Sequence, residues 1–438
     1  MANQTLLKAS GFKNILFIIL GIVILSYLVV KAANGGNDIN VYLYAAKQIL
    51  LHKNIYAQNP FNNYLYGPLF AVLLTPLSLF NWNIARVIWV LINLAFTIRL
   101  WQLLQQLPNG TFALSKSYKS TWAIGVAVLS FGFLNHNLNL GQVTVVILWL
   151  TVEGIYRVMQ KENLKGAALI ALGINIKITP LLALVYLFFK GKFKAIVYTL
   201  SFVGLSLLIP ALFIGWEYNN DLISKWKDAI NPTGKKYAFE NNDGCNSLNA
   251  VLPAFLYNDF EKPSNLEYNP HWRFLRKIAN SPAPLLTMIL QISRILVLLF
   301  IPFSIFFYYK NRKQEYLYYH WEIAYVLLVT LLIFPHQMKY SMLYFIPVGA
   351  YILFYYLYII EQKLLITIFD KMVGCIAALL LVVLAIMGRD IIGHFLVDIL
   401  DFYHFMGFSN LLFLLILAIC NPQELIRLDM NKRQYNTM

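Results

Sequence analysis

Acidic side chains are scarce in this sequence and unevenly spread: 438 residues hold 20 Asp and Glu, and one of them, Asp38, stands alone before Glu153. Charged residues of both signs amount to 13% against 59% hydrophobic, with a mean hydropathy of +0.61. That balance excludes a soluble globular domain, which cannot hide so much apolar surface, and a disordered chain, which needs polarity. Cysteine is nearly absent: Cys245, Cys375 and Cys420 have no metal-ligand spacing, so a disulfide framework is excluded and no metal is expected. Internal repeats, low-complexity linkers and heptad arrays are also missing, which leaves one membrane domain over 1–438 as the simplest organisation.

Long apolar runs are abundant. A hydrocarbon core of about 30 Å takes roughly 17–25 helical residues to cross, and about twelve candidate spans recur: 14–31, 67–80, 84–106, 120–135, 141–158, 165–189, 194–215, 283–309, 318–334, 341–360, 364–387 and 406–421. Runs this long and unalternating exclude a membrane barrel, so the expected fold is all-α, a polytopic helical protein of the lipid bilayer. The first run, Ile15 to Val30, has signal-peptide flanks but is long enough to span, and it is expected to remain as the first helix.

The net charge of +15 does not indicate nucleic acid. Its Lys and Arg are scattered over short loops such as Lys190 to Lys194 and Lys310 to Lys313, as cytoplasmic turns require. Lys8 and Lys13 at the start, with Arg427, Lys432 and Arg433 at the end, place both termini on the cytoplasmic side of a plasma (inner) membrane. Two longer stretches, 32–66 with an amphipathic helix and 216–282, are then external loops. Counting every span puts Arg157, Lys161 and Lys165 outside, against the charge rule; treating 67–80 and part of 165–189 as half-helices repairs it. The sequence leaves both counts open.

Chemistry is concentrated at span boundaries. Asp38, in Asn34-Gly-Gly-Asn-Asp-Ile-Asn-Val-Tyr-Leu-Tyr44, is a lone carboxylate at the membrane surface, costly to desolvate and a functional-site candidate. It also suits the cap of an amphipathic helix over 39–51, where Tyr42, Ala45, Ala46 and Ile49 share a face. Tyr64-Leu-Tyr-Gly-Pro68 opens the next apolar run, and Tyr64 and Tyr66 read equally as an interfacial aromatic belt. Asn135, His136, Asn137, Asn139 and Gln142 gather between two runs, where amides suit either a solvated turn or sugar hydroxyls. Lys177, in Asn175-Ile-Lys-Ile-Thr-Pro180, lies mid-run beside a proline; it either snorkels to an interface or meets an anion such as a lipid phosphate. Asn246-Ser-Leu-Asn249 and Phe334-Pro-His-Gln-Met-Lys-Tyr340 complete the set, with His336 and Lys339 suited to phosphate or sugar.

Taken in order, the Asp38 segment with Tyr42, Tyr64-Leu-Tyr-Gly-Pro68, Leu140-Gly-Gln142, Lys177-Ile-Thr-Pro180, Asn246-Ser-Leu-Asn249 and Pro335-His336 resemble the motif series of glycosyltransferase family 87, over about residues 14–360. That family includes bacterial polyprenol-phosphate-mannose-dependent α-mannosyltransferases of the GT-C class. The resemblance implies a hexose transferase whose donor is a polyprenyl-phosphate sugar and whose acceptor is a glycolipid or glycan, with the active site on the extracytoplasmic face. It makes Asp38 the base that takes the acceptor proton and His336 a second catalytic residue. Tyr42, Tyr64, Tyr66, Asn139, Gln142, Lys177, Asn246, Ser247, Asn249 and Lys339 are the expected substrate contacts. No cofactor and no metal are implied. One histidine stands in Pro335-His-Gln-Met where family members often carry two. A transporter or lipid flippase would use similar intramembrane charges, and a ligase with a diphosphate-linked donor would call for paired arginines.

Overall fold

The structure, a computed structural model, describes residues 26–31, 33–57, 59–230, 239–240, 242–257, 278–306 and 315–435, with residues 21, 23 and 276. All regular structure among them is helical. The expected span 14–31 lies mostly outside the described residues, as do Lys8, Lys13, the basic stretch Lys310 to Lys313 and much of 216–282.

Helix α1 (Asn37–Leu50) packs against Pro68–Leu73 (α2). Seven helices among the described residues are long and apolar enough to cross a membrane: Trp82–Leu104 (α3), Lys116–Leu140 (α4), Phe193–Ile214, Ala283–Phe306, Tyr316–Ile333, Lys339–Glu361 and Ile368–Ile386. An eighth span is formed if Arg389–Phe402 and Phe405–Ile419, bent by 64°, are counted as one. For Tyr316–Ile333 and Lys339–Glu361, 78% of the apolar window is buried in protein, against 17–28% for the other five. Those two are the core, and the others turn apolar side chains outward as a lipid-facing shell does.

Two expected spans are built differently. The stretch 67–80 forms two short helices, Pro68–Leu73 and Thr75–Ser78, too short to cross. The stretch 165–189 is a hairpin: Asn163–Ile176 rises, Lys177 is extended at its end (φ −148°, ψ 136°), Thr179–Leu181 turns, and Leu182–Phe189 returns. Pro180 lacks the amide that would continue a straight helix, which is why the break falls there. Thr144–Met159, which overlaps the expected span 141–158, has 16 residues.

The hairpin brings the basic turns on either side of it to one end of the molecule. Tyr319 donates to the Val152 carbonyl (3.2 Å), while Glu322, one turn on, accepts from Tyr186 (2.7 Å) and Lys190 (2.8 Å). At the same end the Ser115 amide donates to Glu361 (3.0 Å), and Tyr358 donates to Asp429 in the C-terminal helix (3.1 Å). Lys161, Lys165, Lys190, Lys192, Lys194 and Lys432 all lie there. Asn37, Gly141, Lys177 and Phe334 mark the opposite end.

Glu153 anchors the basic end. It is almost fully buried and accepts a two-pronged bond from Arg99 (2.9 and 3.0 Å) and one from Arg157 (2.6 Å). Glu153→Gln leaves two guanidiniums facing a neutral amide, although both are a third exposed and water relieves part of the loss. The expected destabilisation is about 1–3 kcal/mol, read as a lower Tm of the detergent-purified protein. An unchanged Tm would show that the pair carries little of the fold.

Candidate active site

At the other end, residues from seven segments surround a cavity of about 360 Å³, within the roughly 300–1,000 Å³ typical of small-molecule sites. Asp38, Tyr42, Tyr66, Gln142, Lys177 and His336 all line it. Thus a carboxylate, an ammonium, an imidazole, two phenols and an amide, spread over some 300 positions of sequence, face one space.

Asp38 is delivered by the first turn of α1. The helix starts at Gly36, whose amide donates to the Asn139 carbonyl (2.7 Å), and its inner face buries Ile39, Tyr42, Ala45, Ala46 and Ile49. The carboxylate does not cap its own helix. Its Oδ2 accepts from Gln142 Nε2 (2.5 Å), and among the described residues Oδ1 has no hydrogen-bond partner. Gln142 follows Gly141, which ends α4 at φ 69° with Ile39 so close that an added Cβ would stand 2.6 Å from its Cγ2. Glycine is the residue that fits there without strain, and the close approach locks α1 to the amide that holds its aspartate.

A relay of hydroxyls orients that amide. Tyr42 donates to Gln142 Oε1 (3.2 Å), so Gln142 must present its NH₂ group to Asp38. With its proton so used, Tyr42 accepts from Tyr66 (2.9 Å). Tyr42 also meets the rings of Tyr66, Phe70 and Trp89 edge-on at 4.9–6.3 Å, pairs worth about 0.5–1.5 kcal/mol each. Trp89 in turn donates to the Gly141 carbonyl (2.8 Å). The tyrosines are therefore buried in the site wall and do not form an interfacial belt. Burial raises the Asp38 pKa from the usual 3.8, and this outweighs the opposing pull of the Gln142 hydrogen bond, Lys177 and His336.

Lys177 sits at the hairpin tip, its ammonium 5.7 Å from the Tyr340 ring centre. Gly67, just before α2, permits that tip to approach: an added Cβ would lie 2.4 Å from the Asn175 carbonyl oxygen. His336 follows Tyr316–Ile333 with a positive φ of 58°, its Nδ1 3.5 Å from Glu240 Oε1.

Other expected contacts stand behind the wall. Tyr64 donates to the Gly67 carbonyl (3.2 Å) and is buried. Asn139 acts through its carbonyl on Gly36. The Asn246 amide donates to the Gln337 carbonyl (2.8 Å), Ser247 donates to Glu240 (3.1 Å), and Asn249 accepts from Arg294 (2.5 Å). Lys339 turns away to the Met387 carbonyl. None of these six lines the cavity.

Several lining residues were not singled out in the sequence: Asn62, Asn63, Thr179, Trp226, Glu240, Cys245 and Tyr340 among them. Thr179 and Tyr340 lie inside motifs already noted. Glu240 carried no signal, because it sits in a segment where acids and bases alternate. Glu240, Cys245 and His336 each present one possible metal-ligand atom, all within 4.8 Å of one another. Beneath them, His404 bonds the Cys245 carbonyl (2.8 Å), and Arg276 bridges Asp243 (2.6 Å) and the Phe402 carbonyl (2.8 Å). The C-terminal helices thus support the loop that carries Cys245.

The sequence model of glycosyltransferase family 87 matches residues 64–335, more than half of the chain. The matched stretch contains Tyr64, Tyr66, Gln142, Lys177, Glu240 and Cys245; Asp38 and His336 flank it. None of the curated proteins matches the chain.

Proposed function

The chain belongs to glycosyltransferase family 87 and is a membrane glycosyltransferase; from that premise we propose that it moves a hexose, mannose-like, from a polyprenyl-phosphate donor to a glycolipid or glycan acceptor at the extracytoplasmic face. The observation that carries this reading is the shared cavity of Asp38, Lys177 and His336, a base, an ammonium and an imidazole around a space large enough for a sugar.

In this reaction Asp38 takes the acceptor hydroxyl proton, the resulting oxygen bonds to the anomeric carbon, and the bond from that carbon to the phosphate oxygen breaks. The electron pair leaves with the lipid phosphate. The Lys177 ammonium and the His336 imidazole stabilise the charge that grows on it, and donors already in place do this with little reorganisation. Gln142, held by Tyr42, keeps the carboxylate aimed while Oδ1 receives the proton. The described lining includes no arginine, which suits one phosphate better than a diphosphate.

Orientation follows from charge. The short basic turns at the end opposite the cavity are those that the positive-inside rule assigns to the cytoplasm. The cavity then opens on the external side of a plasma (inner) membrane, where polyprenyl-phosphate sugars, not nucleotide sugars, are the activated donors to expect. The purified protein should transfer sugar from a polyprenyl-phosphate hexose and leave nucleotide hexoses untouched; turnover with the nucleotide donor would overturn the assignment.

The acid limb of the rate profile provides a further test. Asp38 works unprotonated, and its pKa is raised, so kcat/KM should fall with acidification at a midpoint above 3.8, the ordinary aspartate value. An acid limb at or below that value would separate Asp38 from the proton transfer.

A further inference from the structure

Beside the carboxylate of the proposed base, the cavity wall holds a second group of side chains, of which glycosyl transfer as proposed above uses His336 but neither Glu240 nor Cys245. We propose that Glu240, Cys245 and His336 form a three-ligand site for a borderline divalent cation of the zinc type, with its fourth coordination position open to the cavity.

The donor set is the first argument. A thiol, an imidazole and a carboxylate in one cluster suit zinc, whereas magnesium and calcium are met by oxygen alone. Three protein ligands with an open fourth position are the pattern of sites at which zinc meets a substrate. Spacing agrees: Glu240 Oε1 and His336 Nδ1 stand 3.5 Å apart, against about 3.3 Å for two ligands with bonds of about 2.0–2.1 Å around a tetrahedral ion. The full cluster spans 4.8 Å, so closure on an ion requires a small inward shift of the thiol.

The surroundings are those of ligands held in place. Glu240 points Oε1 at His336 while Oε2 accepts from Ser247 (3.1 Å), and its amide donates to the Asn249 carbonyl (2.9 Å). Cys245 is fixed on both sides, its amide donating to the Asn242 carbonyl (2.9 Å) and its carbonyl bonded by His404 (2.8 Å). The Asn246 amide ties this loop to Gln337, the neighbour of His336. Outer partners of this kind fix ligand orientation in metal sites. His336 itself is a non-glycine residue at φ 58°, a backbone strain that the surrounding structure has to hold and that gathers at functional positions.

Charge supplies the third argument. Glu240 is buried with Lys177 and Arg294 as cationic neighbours, and a cation bonded to its Oε1 would offset the cost of burying the carboxylate more directly than either. The site does not depend on the glycosyl-transfer reading. The ligand of its open position does: on that reading it is a phosphate oxygen of the donor.

Full-length protein purified in detergent, stripped with a chelator and dialysed against zinc, should hold about one zinc per chain, with X-ray absorption showing one sulfur at about 2.3 Å among nitrogen and oxygen ligands. Cobalt in place of zinc should give a thiolate-to-cobalt charge-transfer band, absent in Cys245→Ser. Glu240→Gln and Cys245→Ser preserve side-chain size and should each weaken zinc binding by more than roughly a hundredfold, beyond the loss caused by removing an outer partner. Wild-type protein holding no more zinc than the Glu240→Gln/Cys245→Ser double variant would overturn the proposal, as would bound zinc without a sulfur ligand. Zinc content is read without turnover: protein that binds zinc yet transfers no sugar upholds the site and overturns the donor assignment instead.

Discussion

Asp38→Asn should lower kcat for sugar transfer by roughly 10²–10⁴, the range that a positioned general base contributes, while the protein keeps its Tm and its affinity for the donor. The separation of effects follows from the geometry. Asparagine has the size of aspartate and can still accept from Gln142 through its amide oxygen, so the contact that joins α1 to the end of α4 survives. What disappears is the ability to hold a proton. Donor affinity should change little, because in the proposed reaction the phosphate is held by Lys177 and His336. Transfer in a single turnover with preloaded donor is the appropriate measurement, since it isolates chemistry from product release. Equal single-turnover rates in both proteins would remove Asp38 from the reaction.

Lys177→Met comes second in expected size. Methionine fills much the same volume at the hairpin tip, and among the described residues Lys177 makes no hydrogen bond through its side chain; its ammonium lies over the Tyr340 ring. The charge that meets the departing phosphate is lost, and removal of one preorganised electrostatic partner typically costs about 10²–10³ in rate. Because that charge grows between bound donor and transition state, kcat should fall by more than the donor KM rises. If KM alone changes, Lys177 binds the ground-state phosphate without favouring its departure. Lys177→Arg is not expected to rescue fully, since the planar guanidinium is larger and presents its donors in a different geometry.

The membrane fold was legible because hydrophobic length is a local property: apolar runs announce spans wherever they occur. Parity was less legible, since a run of 25 apolar residues reads the same whether it crosses once or folds back at a proline, as 165–189 does around Lys177 and Pro180. The positive-inside rule already strained against a single crossing there, and a fold-back of this kind is what relieves that strain in the proposed orientation. Among the site residues, Asp38 and Lys177 were visible because each is a lone charge in apolar surroundings, where ionisation has to be compensated. Tyr42 and Gln142 were visible as polar groups at span ends, but the relay that joins them needs coordinates, because 100 positions of sequence separate them. Glu240 was hidden by its setting: a carboxylate in a polar segment has no contrast until folding buries it beside His336. Asn246, Ser247 and Asn249 were legible as a motif but their place was not, since they build the wall from behind, Ser247 through Glu240 and Asn246 through Gln337.

The stereochemistry of the product tests the central claim most directly. If Asp38 deprotonates the acceptor and the new oxygen displaces the lipid phosphate in one step, the anomeric configuration of the sugar must invert, which NMR of the purified product reads against a donor of known configuration. Retention would contradict the account, because it requires two displacements through a covalent sugar–enzyme intermediate, with a second carboxylate of the cavity, Glu240, as the nucleophile in place of the single base proposed here.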